Sequence, residues 1–226
     1  MAKPSVRILC LHGSRTNAGI ISMQVGGFRQ AFGNSAEFVW FNSPRPASGR
    51  PQQPIIDFFG EEGPYYEWWT PFERNRTSYP EWRETLPYVQ NYVQQNGPFD
   101  VVIGFSQGAA MATLLTAHYQ AKGQKIPYKA VTLVCGLCPR DGMPEELRIE
   151  PGVQKFGPLK IPSFHIIGEK DEIFDLGQEL IDSYIESSRF VHIHPDDHRF
   201  PSPATNRALY KDIVERIQRI VALSEF

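Results

Sequence analysis

The chain has 226 residues and a formal net charge of −2, with 23 Lys and Arg against 25 Asp and Glu. This length fits a single domain of α/β size, which buries roughly 70% of the surface of its unfolded chain and needs no disulfide or metal. The sequence has neither a Lys/Arg block nor an 18-residue apolar run, so we expect no nucleic-acid partner and no membrane span.

Apolar runs and helical stretches alternate along the chain. Strands are predicted at 5–11, 36–41, 99–103, 129–135, 161–167 and 189–194, and helices at 19–32, 78–96, 107–122, 176–187 and 204–223. Gly33 is a plausible C-cap of the first helix, Ser78 and Glu81 resemble a capping box, and Pro87 should kink or split its helix. This alternation predicts a mostly parallel sheet of about six strands flanked by helices. Ligands of such sheets bind beyond the carboxyl ends of the strands.

Residues 43–77 break the alternation, because they are rich in proline, glycine and aromatic rings. The rings are Phe58, Phe59, Tyr65, Tyr66, Trp68, Trp69 and Phe72. An aromatic loop of this length must bury its rings on something. It could form an extra core patch, or it could be a lid or one wall of a pocket for an apolar chain. In the second case Phe58, Phe59, Tyr66, Trp68 and Trp69 are the candidate substrate-binding residues within a single 1–226 domain.

Ser106 stands between two glycines, Gly104 and Gly108, directly after a buried strand. A strand-to-helix turn of this kind pushes the serine side chain out of the sheet, and its tightness favours glycine. Ser106 is therefore the candidate nucleophile. A serine hydroxyl is barely ionised at neutral pH, so it needs a base that a third group, usually a carboxylate, holds in the correct tautomer.

Six histidines compete for the role of base. His198 follows the last predicted strand, where the chain order Ser, acid, His places the base, and His194 is the reserve. For the acid, the strand that ends near residue 167 is followed by Gly168, which permits a sharp exit, and then by Asp171. The alternatives nearby are Glu169, Glu172 and Asp175, which we expect to be solvated charges.

An acyl intermediate also needs preorganised N–H donors for its oxyanion. The backbone N–H of Gln107 is one candidate, because it follows the nucleophile at the start of a helix. The N–H of Ser14 is the other, from the loop His12-Gly13-Ser14 after the first strand.

Cys135 and Cys138 form a Cys-x-x-Cys pair, and the chain has three cysteines in all. The pair follows an apolar strand late in the chain, which does not fit the redox motif, and it lacks the second ligand pair that a zinc site needs. We therefore expect packing thiols, no metal and no organic cofactor. The low cysteine count and the N-terminus, which does not read as a secretory leader, predict a reducing, cytoplasmic location.

These motifs together resemble the FSH-type serine hydrolases, small α/β hydrolases that include fungal esterases and polyketide-releasing thioesterases. The matching stretches are 9–13, 97–100, 104–110, 168–171 and 194–198, with the Trp68-Trp69 pair before the catalytic strand. The resemblance implies the α/β-hydrolase fold and a triad of Ser106, Asp171 and His198. Acyl-protein thioesterases and carboxylesterases share Gly-Phe-Ser-Gln-Gly, so that motif alone does not choose between them.

One position departs from the family pattern, because Asp197 replaces the glycine that usually precedes the catalytic histidine. If the position needs a positive φ, aspartate adopts it at some cost. Asp196 and Asp197 would also place negative charge beside His198, which suggests a pH–rate profile on the alkaline side.

The sequence thus predicts a serine esterase or thioesterase that acts on small-molecule acyl esters or thioesters with apolar acyl chains. The alternatives are a non-catalytic binding protein on the same fold, an acyl-protein thioesterase or carboxylesterase, and transesterification through the same acyl-enzyme. A homodimer is compatible with the sequence. The sequence does not identify the natural substrate.

Overall fold

The computed structural model describes residues 6–71, 78–150 and 155–223. Within these residues there are six strands: β1 (Val6–Leu11), β2 (Ala36–Trp40), β3 (Val101–Phe105), β4 (Ala130–Val134), β5 (Ser163–Gly168) and β6 (Arg189–His194). The α-helices are α1 (Ala18–Gln24), α2 (Gly26–Phe32), α3 (Gln53–Phe59), α4 (Trp82–Asn96), α5 (Gln107–Ala121), α6 (Phe174–Asp182) and α7 (Arg207–Leu223).

The six strands form one sheet in the order β2-β1-β3-β4-β5-β6, and every neighbouring pair is parallel. The strands β3, β4 and β5 are buried along their whole length, as expected for parallel strands covered on both faces. The predicted α/β-hydrolase architecture is therefore confirmed. All carboxyl ends lie at one edge of the sheet, which brings the loops after β1, β3, β5 and β6 together.

Each face of the sheet carries its own apolar core, because alternate residues of a strand point to opposite faces. In β1, Leu9 and Leu11 pack with α4 and α5, whereas Ile8 and Cys10 pack with α1, α2 and α7. The helix α5 is buried almost throughout, and its Gly-Ala-Ala start allows it to lie close to the sheet.

Three local predictions differ from the structure. The predicted helix 19–32 is two helices that meet at Val25, although Gly33 does end the second at φ 55°. Ser78 is not the N-cap of α4, which begins at Trp82 directly after Glu81, and the Ser78 hydroxyl donates to Asp141. Pro87 does not split α4, because it lies on the exposed face, where water can bond the carbonyl that the proline leaves unpaired.

The aromatic insertion is described from residue 43 to residue 71, whereas Phe72 and the rest of 72–77 lie outside the described residues. It contains α3, which the sequence did not predict. Trp68 and Trp69 are buried in the core on the α4–α5 side. No described helix is long and apolar enough to cross a bilayer.

Candidate active site

Ser106 lies in the turn between β3 and α5, with φ 52° and ψ −119°. A left-handed backbone at a residue other than glycine is strained, by roughly 1–3 kcal/mol, and persists only where the surroundings impose it. Here they do: the Ser106 N–H donates to the Val134 carbonyl at 2.9 Å, and the Ser106 carbonyl accepts the Ala109 N–H at 2.9 Å. The turn presents the hydroxyl above the carboxyl edge of the sheet.

The two glycines that flank Ser106 allow α5 to approach the sheet. A Cβ on Gly108 would lie 2.2 Å from the Leu11 carbonyl oxygen, and one on Gly104 would lie 2.5 Å from the Ala109 nitrogen. Both contacts are with backbone that cannot move aside. The Gly-x-Ser-x-Gly spacing is thus required by packing between β1, β3 and α5.

His198 and Asp171 are hydrogen-bonded to each other. His198 Nδ1 donates to Asp171 Oδ2 at 2.7 Å, and the Ile173 N–H donates to the other carboxylate oxygen at 3.0 Å. Because the proton lies on Nδ1, the opposite nitrogen, Nε2, is left as a base. This is the arrangement that a serine nucleophile requires of its partners.

The loops after β5 and β6 are held together by backbone contacts. The N–H of Glu169 donates to the His194 carbonyl at 2.8 Å, and that of Lys170 donates to the Asp196 carbonyl at 3.1 Å. A Cβ on Gly168 would lie 2.2 Å from the Asp197 carbonyl oxygen, so glycine is needed there. The alternative acids Glu169, Glu172 and Asp175 are all exposed, as expected of solvated charges.

The carboxyl group of Asp171 is biased towards its ionised form. Burial raises its pKa, but the hydrogen bonds from His198 and from the Ile173 N–H are among the effects that outweigh the burial, and the net pKa lies below the usual value. Asp171 therefore stays charged through the neutral range and can stabilise an imidazolium at His198.

Phe105, the last residue of β3, precedes Ser106 in the chain and packs against the ring of His198. The Phe105 ring lies 5.1 Å from the His198 ring. The Ser106 hydroxyl makes no hydrogen bond within the part of the chain that the structure describes. Hydrogen bonds of this type often tighten only when a substrate binds, so the geometry places a nucleophile and a base at one edge without a closed contact between them.

The two predicted oxyanion donors also lie at this edge. A Cβ on Gly13 would be 3.5 Å from the Ser106 Cβ, so the loop that carries Ser14 passes beside the nucleophile. Among the described residues, neither the Ser14 N–H nor the Gln107 N–H donates to another backbone group. Both are therefore available to an acyl oxygen.

The remaining histidines that the sequence raised have other contacts. His194 is buried, and its Nδ1 lies 3.7 Å from Asp196 Oδ2, beyond hydrogen-bond distance. His118 bonds the Gly142 carbonyl at 2.8 Å. His12 accepts the Ser43 N–H at Nε2, 3.1 Å, which leaves its proton on Nδ1 to donate to the Gly13 carbonyl at 2.7 Å.

Two fully buried histidines make stability depend on pH. Burial lowers the pKa of His12 to about 4, although its bond to Gly13 opposes this, and burial with a smaller effect of Arg189 lowers the pKa of His165 to about 3. Below about pH 6.5 the unfolded chain takes up protons at both sites and the folded chain does not. Each histidine then lowers the free energy of unfolding by up to about 1.4 kcal/mol per pH unit.

We expect the urea midpoint of unfolding to fall steadily from pH 6.5 towards pH 4, because the unfolded chain gains protons at His12 and His165. A midpoint that stays unchanged down to pH 4 would contradict this.

The predicted substrate-binding rings are not one surface. Trp68 is fully buried, stacks on His12 with ring centroids 5.0 Å apart, and donates from Nε1 to the His12 carbonyl at 2.8 Å. Trp69 is also buried, so both tryptophans fit the first of the two alternatives for this loop, an extra core patch. Phe58 and Phe59, on α3, are 84% and 39% exposed, and Tyr66 is half-buried with its backbone paired to Thr16.

Asp197 does not carry the strain that the family departure suggested. In the described part of the chain, left-handed residues other than glycine are Arg15, Ser106 and Cys135. The Asp197 carboxylate instead forms a two-pronged ion pair with Arg199, one prong of 2.6 Å from Nη2 to Oδ2, and this pair lowers the pKa of Asp197. The alkaline rate profile expected from the charges of Asp196 and Asp197 beside His198 stays a prediction.

The three cysteines are free and buried, as expected of packing thiols. Cys135 Sγ donates to the Arg199 carbonyl at 3.4 Å and lies in the only described cluster of three potential metal ligands, with Asp171 and His198, all within 4.8 Å. Burial raises the pKa of the Cys135 thiol well above its usual value, and the other two groups bond each other. The cluster therefore fits the hydrolytic pair better than a metal.

Sequence reasoning missed the contact between Cys135 and Asp171. The Cys-x-x-Cys motif carries no information on this contact. Cys135 follows β4, and β4 is the neighbour of β5, the strand that leads to Asp171. The position of Cys135 was therefore predictable from the strand order. The side chains of Gln107 and Glu67 were also missed, because their partners are distant in sequence.

Solved structures of similar fold are esterases and thioesterases. Acyl-protein thioesterase 2 of Zea mays superposes with a TM-score of 0.66 at 15% identity, covering 96% of this chain and 95% of that one. Esterase PE8 gives a TM-score of 0.65 at 20% identity, covering 93% of each chain. At these identities the likeness shows the fold.

Sequence relatives span nearly the whole chain. Esterase OVCA2 of Homo sapiens is 30% identical over 230 residues, covering 95% of this chain and 98% of its own. Esterase OVCA2 of Bos taurus is 29% identical over 237 residues with the same coverage. The family model described as serine hydrolase (FSH1) matches residues 1–209. The chain therefore belongs to the FSH1 family of serine hydrolases.

Proposed function

We propose that the protein hydrolyses carboxylic esters or thioesters through an acyl-enzyme on Ser106. The observation that carries this proposal is the 2.7 Å bond from His198 Nδ1 to Asp171 Oδ2, at the edge where the strained turn presents Ser106. The esterase-named relatives support the same reaction.

In the proposed mechanism, Ser106 Oγ attacks the acyl carbonyl and His198 Nε2 takes its proton. The N–H groups of Gln107 and Ser14 stabilise the oxyanion, and Asp171 stabilises the imidazolium. The C–O or C–S bond then breaks, and His198 returns the proton to the leaving alcohol or thiol. A water molecule, deprotonated by His198, releases the acid and regenerates Ser106.

The acyl group is proposed to be apolar, and Phe58 and Phe59 now carry that argument. Two exposed phenylalanines on a short helix form an apolar surface that a soluble monomer rarely leaves unused. With Trp68 and Trp69 buried, the exposed face of α3 is the part of the insertion that could contact a chain, as a wall or a lid.

A series of acyl esters and thioesters tests both parts of the proposal. We expect wild type to prefer chains longer than acetate, and the double change Phe58→Ala, Phe59→Ala to reduce kcat/KM for the longer chains about tenfold with little effect on acetate. The matched control is Leu223→Ala, a 78% exposed apolar residue at the end of α7. That end lies at the opposite edge of the sheet, since Lys129 before β4 bonds the Val221 carbonyl.

Equal losses on short and long chains would remove the apolar-chain assignment. Turnover of thioesters but not esters of equal length would select the thioesterase, and the reverse would select the esterase. No turnover of any member would favour a binding protein on this fold.

We also propose a reducing, cytoplasmic location. It is supported by the burial of all three cysteines as free thiols, which is usual for proteins that fold where disulfides do not persist.

A further inference from the structure

The segment Tyr66–Trp69, called here the clamp segment, contacts the loop that carries Ser14 at three successive positions. The backbone of Tyr66 pairs with that of Thr16: the distance from the Tyr66 nitrogen to the Thr16 oxygen is 2.8 Å, and that from the Thr16 nitrogen to the Tyr66 oxygen is 3.2 Å. The Glu67 carboxylate lies 3.6 Å from Arg15 Nε, and the Trp68 indole donates to the His12 carbonyl. Residues on both sides of Ser14 are thus held by one short segment.

The same segment is fastened to the other oxyanion donor by a side chain. The amide of Gln107 accepts the Trp68 N–H at 2.8 Å and donates to the Trp69 carbonyl at 2.7 Å. Gln107 is buried, so these bonds are shielded from water. Gln107 therefore offers its backbone N–H to the oxyanion, while its side chain is hydrogen-bonded to the segment that holds the loop of Ser14, the second donor.

The contact with Glu67 is costly, which argues for a role beyond packing. Glu67 is fully buried, and neither of its carboxylate oxygens has a hydrogen-bond partner among the described residues. Its ion-pair partner, Arg15, has φ 54°, a strained conformation directly after Ser14. Buried charge and backbone strain of this kind gather at functional sites, where a fixed geometry is needed.

We propose that the side chains of Gln107 and Glu67 are positioning residues, which act through the clamp segment to set the distance between the Ser14 and Gln107 amides. This proposal rests on the proposed hydrolysis through Ser106. The clamp segment is then the frame of the oxyanion hole. Loss of a whole oxyanion donor lowers kcat by roughly 10²–10³-fold, so a displaced donor should cost about 10–100-fold.

The test compares two glutamines on one helix. Gln107→Leu keeps the backbone N–H and removes both side-chain bonds. Gln120→Leu is the matched control, because Gln120 also bridges two backbone groups, the Pro158 carbonyl at 3.0 Å and the Lys160 N–H at 2.7 Å, at the far end of α5. Rates are taken per active site, as titrated with a fluorophosphonate, on a short nitrophenyl ester.

We expect Gln107→Leu to lower kcat about 10–100-fold with KM within about twofold, and to weaken an alkyl boronic acid, which mimics the tetrahedral intermediate, by the same factor. Gln120→Leu should leave kcat and the boronic acid affinity unchanged. A kcat for folded Gln107→Leu within twofold of wild type would overturn the proposal, as would a loss in KM alone.

Glu67→Gln keeps the test decisive if Gln107→Leu does not fold. It keeps the shape of the side chain but removes one partner of the pair with Arg15, so the melting temperature should fall, and kcat of the folded protein should fall about tenfold. Unchanged kcat in Glu67→Gln would contradict its part in the proposal. Failure of the hydrolysis itself would look different, because wild type would then show no turnover that depends on Ser106.

Discussion

Changing Ser106 to alanine is expected to lower kcat by roughly 10⁴–10⁶-fold, because the acyl-enzyme can no longer form. Whatever rate is left would come from the oxyanion donors and from binding. The measurement is steady-state hydrolysis of a short nitrophenyl ester by protein of verified folding. Ser22→Ala is the control and should keep full activity, because Ser22 lies on α1 and its hydroxyl donates to the Gly19 carbonyl at 2.7 Å.

A second change at the same position separates catalysis from stability. Ser106→Gly should be as inactive as Ser106→Ala, but more stable by about 1 kcal/mol, because glycine accepts φ 52° without the strain that a Cβ brings. Substantial turnover by either variant would mean that another residue is the nucleophile.

Changing Asp171 to asparagine is expected to lower kcat by about 10³–10⁴-fold. An amide that presents its NH₂ to His198 Nδ1 turns that nitrogen into an acceptor, and the proton moves to Nε2, where it blocks proton removal from Ser106. KM should change little, because the carboxylate does not face the acyl group. Since the pKa of Asp171 lies below the usual value, the defect should persist across the neutral and alkaline range.

The control for Asp171 is Glu172→Gln, an exposed acid on the same loop. It should keep kcat within about twofold of wild type, because its charge is solvated and worth little to the site. A large loss of kcat in Glu172→Gln combined with a small loss in Asp171→Asn would show that Asp171 is not the catalytic acid.

The sheet and the edge that holds the site were predictable because they depend on local patterns. Buried apolar runs such as 101–105 identify parallel strands, and glycines at 104 and 108 identify a close helix approach. In the structure, a Cβ added to Gly108 or Gly104 would lie 2.2 or 2.5 Å from neighbouring backbone atoms. Parallel order then brings the loops after β3, β5 and β6 to one edge without any knowledge of side-chain contacts.

What could not be predicted depends on residues far apart in the chain. The sequence leaves open what Trp68 packs against, because the side chain that bonds its backbone N–H, Gln107, lies 39 residues later. The spacing of Ser78 and Glu81 predicts a capping box, but the Ser78 hydroxyl donates a hydrogen bond to Asp141. The family pattern allows a positive φ at Asp197, whereas among the described residues other than glycine the positive φ values lie at Arg15, Ser106 and Cys135.

The proposed mechanism depends on Ser106 as the nucleophile. The most direct measurement is the mass of the intact protein after treatment with a fluorophosphonate, followed by mapping of the modified peptide. We predict one adduct per chain, on Ser106, with no adduct on Ser106→Ala and slow labelling of Asp171→Asn. Equal labelling of wild type and Ser106→Ala, or an adduct on another residue, would contradict the claim.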